Sequence, residues 1–387
     1  MVKLGHKVKG RDHLGQTPPK YQSWLHEHAF PMWMGAGFDE AQGCFQEALT
    51  FAGTPSSKGF HRTRVQARQI FAATQAHLEG ADERALDRAE SALDFVTKNG
   101  WADGFVHKLG GDGRVINATI DTYDQAFMLY ALAWWWKVSK DQVALDWVTR
   151  TLDVLDKRLG APNAGYLESD PTALPRRQNP HMHLLEALLA LHQFTGESAF
   201  LERAKGMVNL FNDHLFDRNN NSLYEFFEDD WAPNLLGDNA YIEPGHHAEW
   251  VYLLHAYETA SGEDQTARID ALYQVAVKAG RVPGKAFCFD GIHWQSHAPK
   301  PTIRLWGQTE LLRAHKVMQI RKPDQAQALA AEEAALMTAL FETYFNTDVP
   351  GLWYDQYEVS QGALVSTDVP ASSFYHILTA LQFGRTY

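Results

Sequence analysis

Apolar positions recur with a helical period along most of the chain, and two kinds of helix alternate. In the stretch from Glu83 to Val96, Leu86, Ala89, Leu93 and Val96 make a one-sided stripe with charged residues between them. Comparable stripes run over 142–159, 199–215, 264–277 and 325–344. The second kind is apolar nearly all round, as in 126–136 (AFMLYALAWWW), 182–191 (MHLLEALLAL) and 250–256 (WVYLLHA). A helix hydrophobic on every face must be enclosed by protein. Short turns at 78–82, 194–197 and 260–263 join an enclosed helix to an amphipathic one. The enclosed helices are predicted to begin near Arg62, Thr122, Asn179, Pro244, Arg304 and Ser372, a repeat of about 60 residues. Six inner helices ringed by six outer ones make an all-α (α/α)6 barrel of about twelve helices. The long irregular segments all precede inner helices and so gather at one end. Short strands are expected only there, at 165–168, 222–227 and 351–355.

Composition narrows the function. No Pro-, Gly- or Ser-rich linker interrupts the 387 residues, so 21–387 reads as one barrel domain. Met1 to Lys20 is basic and polar without an apolar centre; it reads as a disordered tail or cloning remnant, not a secretory signal. A formal charge of −12 argues against nucleic acid or an anionic membrane as partner. No run approaches the ~18 apolar residues of a membrane span. Two cysteines, Cys44 and Cys288, give neither a disulfide framework nor a zinc pattern, which fits the reducing cytoplasm. The 12 tryptophans offer surfaces for stacking sugar rings as well as core volume.

Candidate chemistry concentrates at the starts of the inner helices. His183 and Glu186 stand one turn apart after Asn179 and Pro180, with Asn179 the expected N-cap. His246 and Glu249 repeat the spacing after Pro244, and His376 opens the last helix. Histidine and glutamate are the side chains best matched to moving protons near neutral pH. Arg68, amid apolar residues of the first inner helix, needs a partner: Asp124, Glu310, or a sugar oxygen gaining charge. Thr122 and Gln125 resemble a capping box, and Asp124, Gln308 and Glu310 are expected to form a polar floor. His181 and His183 diverge on a helix and cannot readily share a metal, so no metal is expected. The chain has no Walker loop, no GxGxxG after a strand and no GxSxG, which favours an unphosphorylated substrate without a nucleotide cofactor.

Six motifs in order, one per repeat, resemble the N-acylglucosamine 2-epimerase family. They are Ala67-Arg68-Gln-Ile-Phe71, Tyr123-Asp124-Gln-Ala-Phe127, Asn179-x-x-Met182-His183-x-x-Glu186, Pro244-Gly-His246-x-x-Glu249-Trp250, Trp306-x-Gln308-Thr-Glu310 and Tyr375-His376. The resemblance implies a barrel acting on a monosaccharide without a redox cofactor, with His246 and His376 as the acid/base pair. It implies Arg68 and His183 as ligands of the charged oxygens of an enediol, and Glu186 and Glu249 as orienting groups. The same residues serve an aldose–ketose isomerase for D-mannose and D-fructose, which is the expectation here, or a sugar 2-epimerase. A glycoside hydrolase using Asp124 and Glu310, or a non-catalytic binding protein, stands further off. A homodimer is the common expectation for a symmetric soluble enzyme.

Overall fold

The computed structural model describes residues 19–384. Thirteen α-helices are found among them. The first two, α1 (Pro19–Trp24) and α2 (Phe30–Met34), are joined through a wide π-type turn over Leu25–Ala29. The rest alternate inner and outer: α3 (Thr63–Leu78) and α4 (Ala85–Asn99), α5 (Thr122–Ser139) and α6 (Gln142–Val154), α7 (Asn179–Thr195) and α8 (Ser198–Leu210). The series continues with α9 (Pro244–Ser261) and α10 (Thr266–Gln274), α11 (Leu305–Arg321) and α12 (Ala326–Thr343), and ends on inner helix α13 (Ser373–Leu381).

Each inner helix packs on the next, from α3 through α5, α7, α9 and α11 to α13, and α13 returns to α3. The ring is closed, and the fold is the (α/α)6 barrel. The inner starts fall within a residue of those read from the sequence. The outer partner of α13 is the N-terminal pair, through Phe30 and Trp33 against Phe374. That partner escaped the periodicity because Pro31 and the wide turn break the stripe. It also places Pro19 and Lys20 in α1, inside the stretch read as a tail; 1–18 lie outside the described residues.

The tight inner-to-outer turns close on left-handed residues, Gly196 and Gly262, each at φ 77°, where a β-carbon would be strained. The long segments at the other end hold more strand than expected. Phe60–Arg62, Val106–Gly110, Val115–Asp121 and Ser169–Asp170 form a four-stranded antiparallel sheet. Its 106–121 hairpin is irregular in register and its second strand largely exposed, so no apolar alternation marked it. Strands at 222–223 and 226–227 are present as expected, whereas 165–168 and 351–355 are not strands; the neighbouring 169–170 and 356–358 are.

A repeated device fixes these segments to the barrel. Gln66 Nε2 and Oε1 grip the carbonyl and amide of Phe45 at 2.7 and 2.8 Å. Gln125 does the same to Phe105 at 2.7 and 3.0 Å, and Gln308 to Cys288 at 2.9 and 2.8 Å. On α7 and α9 an imidazole replaces the amide: His181 Nε2 accepts from Tyr166 N at 2.9 Å, and His247 Nε2 from Leu223 N at 3.0 Å. Each clamp satisfies a buried peptide group and sets where the mouth segment crosses its helix.

Candidate active site

At the mouth lies a cavity of about 320 Å³ lined by side chains from the first turns of α3, α5, α7, α9, α11 and α13. Of the residues singled out in the sequence, Arg68, His183, His246, Glu249, Trp306 and His376 all line it. Glu186 and Glu310 lie directly beneath as supports. His183 Nδ1 is 3.3 Å from Glu186, which also accepts a short hydrogen bond from Tyr375. His376 Nδ1 is 2.8 Å from Glu310. Arg313 ties the two supports together, 2.8 Å from Glu310 and 3.5 Å from Glu186.

Asp124 and Gln308 are not brought into the cavity. Asp124 is buried against His107 Nδ1 at 2.7 Å and Arg64 N at 3.2 Å, and Gln308 is spent on its clamp. The caps also differ. Asp121, not Thr122, caps α5 by accepting from Tyr123 N at 2.7 Å. Gln178 precedes α7, and Asn179 turns its amide to His246, with Nδ2 3.1 Å from Nε2.

Several lining residues went unnoticed in the sequence. The most consequential is Glu225, on the strand segment before α9, whose Oε2 lies 2.8 Å from His246 Nδ1. Glu243 adds a second carboxylate at 3.3 Å. A lone glutamate between Tyr224 and Phe226 in an apolar strand was the available signal. Arg177, Arg304 and Asp355 complete the charged rim.

These surroundings drive the histidines apart. Burial disfavours charge on His246, but Glu225 and Glu243 outweigh it and push its pKa up to about 10. An imidazolium donates from both nitrogens. Turning the Asn179 amide so that Oδ1 faces Nε2 meets this need and gives Oδ1 the partner it otherwise lacks. Burial, then the Arg68 and Arg313 guanidiniums, hold His376 well below the ordinary imidazole value. Burial likewise lowers His183 to about 4 against the opposing pull of Glu186. One cavity thus holds an imidazolium and two neutral imidazoles, the separation that assigns acid and base.

Arg68 is itself buried with no carboxylate partner. Its Nη1 donates to Ser372 O at 3.1 Å and Nη2 to the Tyr123 hydroxyl at 2.7 Å; Nε has no partner. The guanidinium also lies 4.2 Å from the Phe127 ring centre. A desolvated cation left without an anion is suited to an oxygen that becomes negative during reaction. Glu249 is the reverse case: fully buried, both carboxylate oxygens unpartnered, its pKa raised well above the ordinary carboxylate range by burial and then by Glu310 and Glu186.

Three groups of side chains could meet around a cation: His183, Glu186 and Glu249; Glu249, Glu310 and His376; and His107, Asp121 and Asp124. In all three, ligand atoms lie within 4.8 Å of one another. Most of those atoms are already committed to the hydrogen bonds above; of these residues Glu249 accepts none among the described residues, and its Oε1 lies 3.8 Å from His183 Nδ1.

The sequence profile described as N-acylglucosamine 2-epimerase (GlcNAc 2-epimerase) matches residues 43–380. The chain belongs to the N-acylglucosamine 2-epimerase family. It is 34% identical, over 92% of its length and 94% of the relative's, to a protein of Rhizobium meliloti named mannose-6-phosphate isomerase. It is 27% identical to a D-mannose isomerase of Thermobifida fusca, over 60% of this chain and 62% of that one. A cellobiose 2-epimerase of Ruminococcus albus is 26% identical over 62% and 65%. In fold it is similar to a crystal structure of D-mannose isomerase, with a TM-score of 0.85 and 21% identity over 94% and 97% of the chains. Sugar isomerases and epimerases of this family are its relatives, and the chain is an enzyme of that kind. Among the described residues no helix is long and apolar enough to cross a membrane.

Two consequences are measurable. A β-carbon on Gly245 would stand 2.8 Å from the Trp306 ring and 2.9 Å from Gly307 Cα. Gly245→Ala is therefore expected to push Trp306 into the cavity and raise KM for the sugar about tenfold, read from steady-state kinetics, with kcat less affected. The second concerns stability. His181, His183, His247 and His315 fall to about 4 in the fold, and His376 also falls, from the ordinary 6.5. Below pH 6.5 the unfolded chain binds protons that the fold refuses, so stability drops as pH falls from 6.5 toward 4. His246 acts oppositely: its contribution is complete below 6.5 and disappears as pH rises through about 10. Urea midpoints should peak near neutral pH, and His246→Asn should flatten only the alkaline side.

Proposed function

We propose that this protein is an aldose–ketose isomerase interconverting D-mannose and D-fructose. The carrying observation is the placement of His246 against Glu225 and Glu243 and of His376 on Glu310, both rings packed on Trp306 at 4.8 and 5.7 Å, in a cavity that Arg68 enters with no carboxylate partner among the described residues. The His246 imidazolium gives its proton to the ring oxygen as the pyranose opens and takes up the proton of the C1 hydroxyl as the aldehyde forms. Neutral His376 then removes the C2 proton, the C2–H electron pair forms the C1–C2 double bond as the carbonyl pair moves to the C1 oxygen, and Arg68 donates to the resulting enediolate. Neutral His183, its Nδ1 proton held by Glu186, offers Nε2 as an acceptor to a sugar hydroxyl rather than as the oxyanion donor expected from the sequence. His376 returns the proton to C1 while the O2 proton passes to the anionic C1 oxygen, leaving the C2 ketone and a C1 hydroxyl. Arg68 supplies the fixed positive charge, so the reading needs no metal. The free cysteines, both buried, fit work in the cytoplasm.

The same intermediate has another fate, reprotonation at C2 from the opposite face, which would make the product a 2-epimer. Turnover of D-mannose in D2O distinguishes the two. Fructose is expected, with deuterium at C1 only as far as the proton held on His376 exchanges with solvent before its return; glucose carrying deuterium at C2 would replace the isomerase with an epimerase. The name of the Rhizobium relative and the arginines at the rim favour a second reading, in which the sugar carries a 6-phosphate. Arg304 is half exposed and makes only a 3.9 Å contact with Asp290. Comparison of kcat/KM for mannose and mannose 6-phosphate, with Arg304→Ala, decides between them. A preference for the phosphate that Arg304→Ala abolishes would establish the second.

A further inference from the structure

The barrel has a second cavity at its other end, of about 570 Å³, larger than the mouth cavity. It is formed by the last turns of the same six inner helices: Gln75 on α3, Trp134 on α5, His192 on α7, Ala256 on α9 and Thr379 on α13, with Arg313 of α11 at its base. Nothing in the proton transfer uses it.

Several of its polar groups are left without hydrogen-bond partners among the described residues. Gln382 is 8% exposed, yet among the described residues neither its Nε2 nor its Oε1 has a hydrogen bond. Gln75, 2% exposed, has an unpartnered Nε2, and Arg313, 2% exposed, an unpartnered Nε. An unsatisfied buried amide is a standing loss of stability. The walls between these groups are aromatic, with Phe71 and Trp134 5.4 Å apart, and Tyr252 and Phe383 5.9 Å apart.

The charge balance selects the class of ligand. Arg313 already faces Glu310 at 2.8 Å and Glu186 at 3.5 Å, so its charge is met. An anion at Nε would compete with both carboxylates and loosen the supports of His376 and His183. A neutral oxygen acceptor leaves both pairs intact. Flat apolar walls with separated amide and guanidinium donors match a ring with apolar faces and an edge of hydroxyls. We propose that this far cavity is a second binding site for a neutral monosaccharide ring, distinct from the catalytic mouth. Its occupant touches the arginine that anchors both carboxylate supports, and so can act on turnover.

The test uses the full chain and 1,5-anhydro-D-mannitol, a neutral pyranose with no hemiacetal to open. Equilibrium dialysis should count two sites per chain in the wild type. Gln382→Leu should weaken the far site about tenfold, the value of one or two good hydrogen bonds. The same variant should melt at a higher temperature than wild type, because it removes an unsatisfied buried amide; lost binding with raised stability cannot come from misfolding. Ala256→Trp, which fills the cavity from α9, should leave one site while Arg68→Ala leaves the other. A single wild-type site indifferent to Gln382→Leu and Ala256→Trp, or none sensitive to them, overturns the proposal and makes the cavity a water-filled space. The probe requires no turnover, so this result stands apart from the identity of the substrate.

Discussion

Replacing His376 by alanine is expected to lower kcat on D-mannose about a thousandfold while the melting temperature stays close to wild type. Among the described residues the imidazole is the only neutral base packed beside Trp306, and its Nδ1 is fixed by Glu310 at 2.8 Å, so the free Nε2 is presented to the sugar. Removing the ring leaves Glu310 with Arg313 still paired at 2.8 Å, so the support beneath survives. Binding of a sugar that cannot be turned over should persist in the variant. Equal loss of binding and turnover would point to a packing role instead.

Arg68→Met is expected to reduce kcat by about a hundredfold or more, the usual effect of losing one fixed donor to a developing oxyanion. It carries a second signature. Burial is the main cause of the low pKa of His376, and Arg68 is the next. Without that charge the imidazole takes a proton more readily, so the acid limb of the pH–rate profile should move to higher pH. A structural role for Arg68, as an anchor of Tyr123 and Ser372, would lower stability without moving that limb.

The sequence disclosed those parts of the molecule that one helix can specify alone. The inner helices were legible because an all-round apolar helix has only one place to go, and His246, Glu249, His183 and His376 were legible because each stands in the first two turns of such a helix. Gln308 and Asp124 illustrate the limit. A polar residue at a helix start can face the cavity or grip the incoming chain, and the helical pattern is the same in both cases. One signal was present: Gln66, Gln125 and Gln308 recur at the same position of three repeats, as expected of residues that serve the repeat itself. Glu225 was hidden for another reason, since it reaches His246 from a bend between two short strands, 21 residues earlier and outside any helix. The sixth outer helix was lost because the ring closes on the chain's first helices, where Pro31 interrupts the period.

The central claim is that neutral His376 carries a proton from C2 to C1 of an opened mannose, with no metal in attendance. Its most direct test is the first product formed from D-mannose by EDTA-treated protein, separated by chromatography at early times, with His376→Ala alongside. Fructose as the first product, absent with the variant, is the predicted result. Glucose first, or fructose formation surviving in His376→Ala, would contradict it.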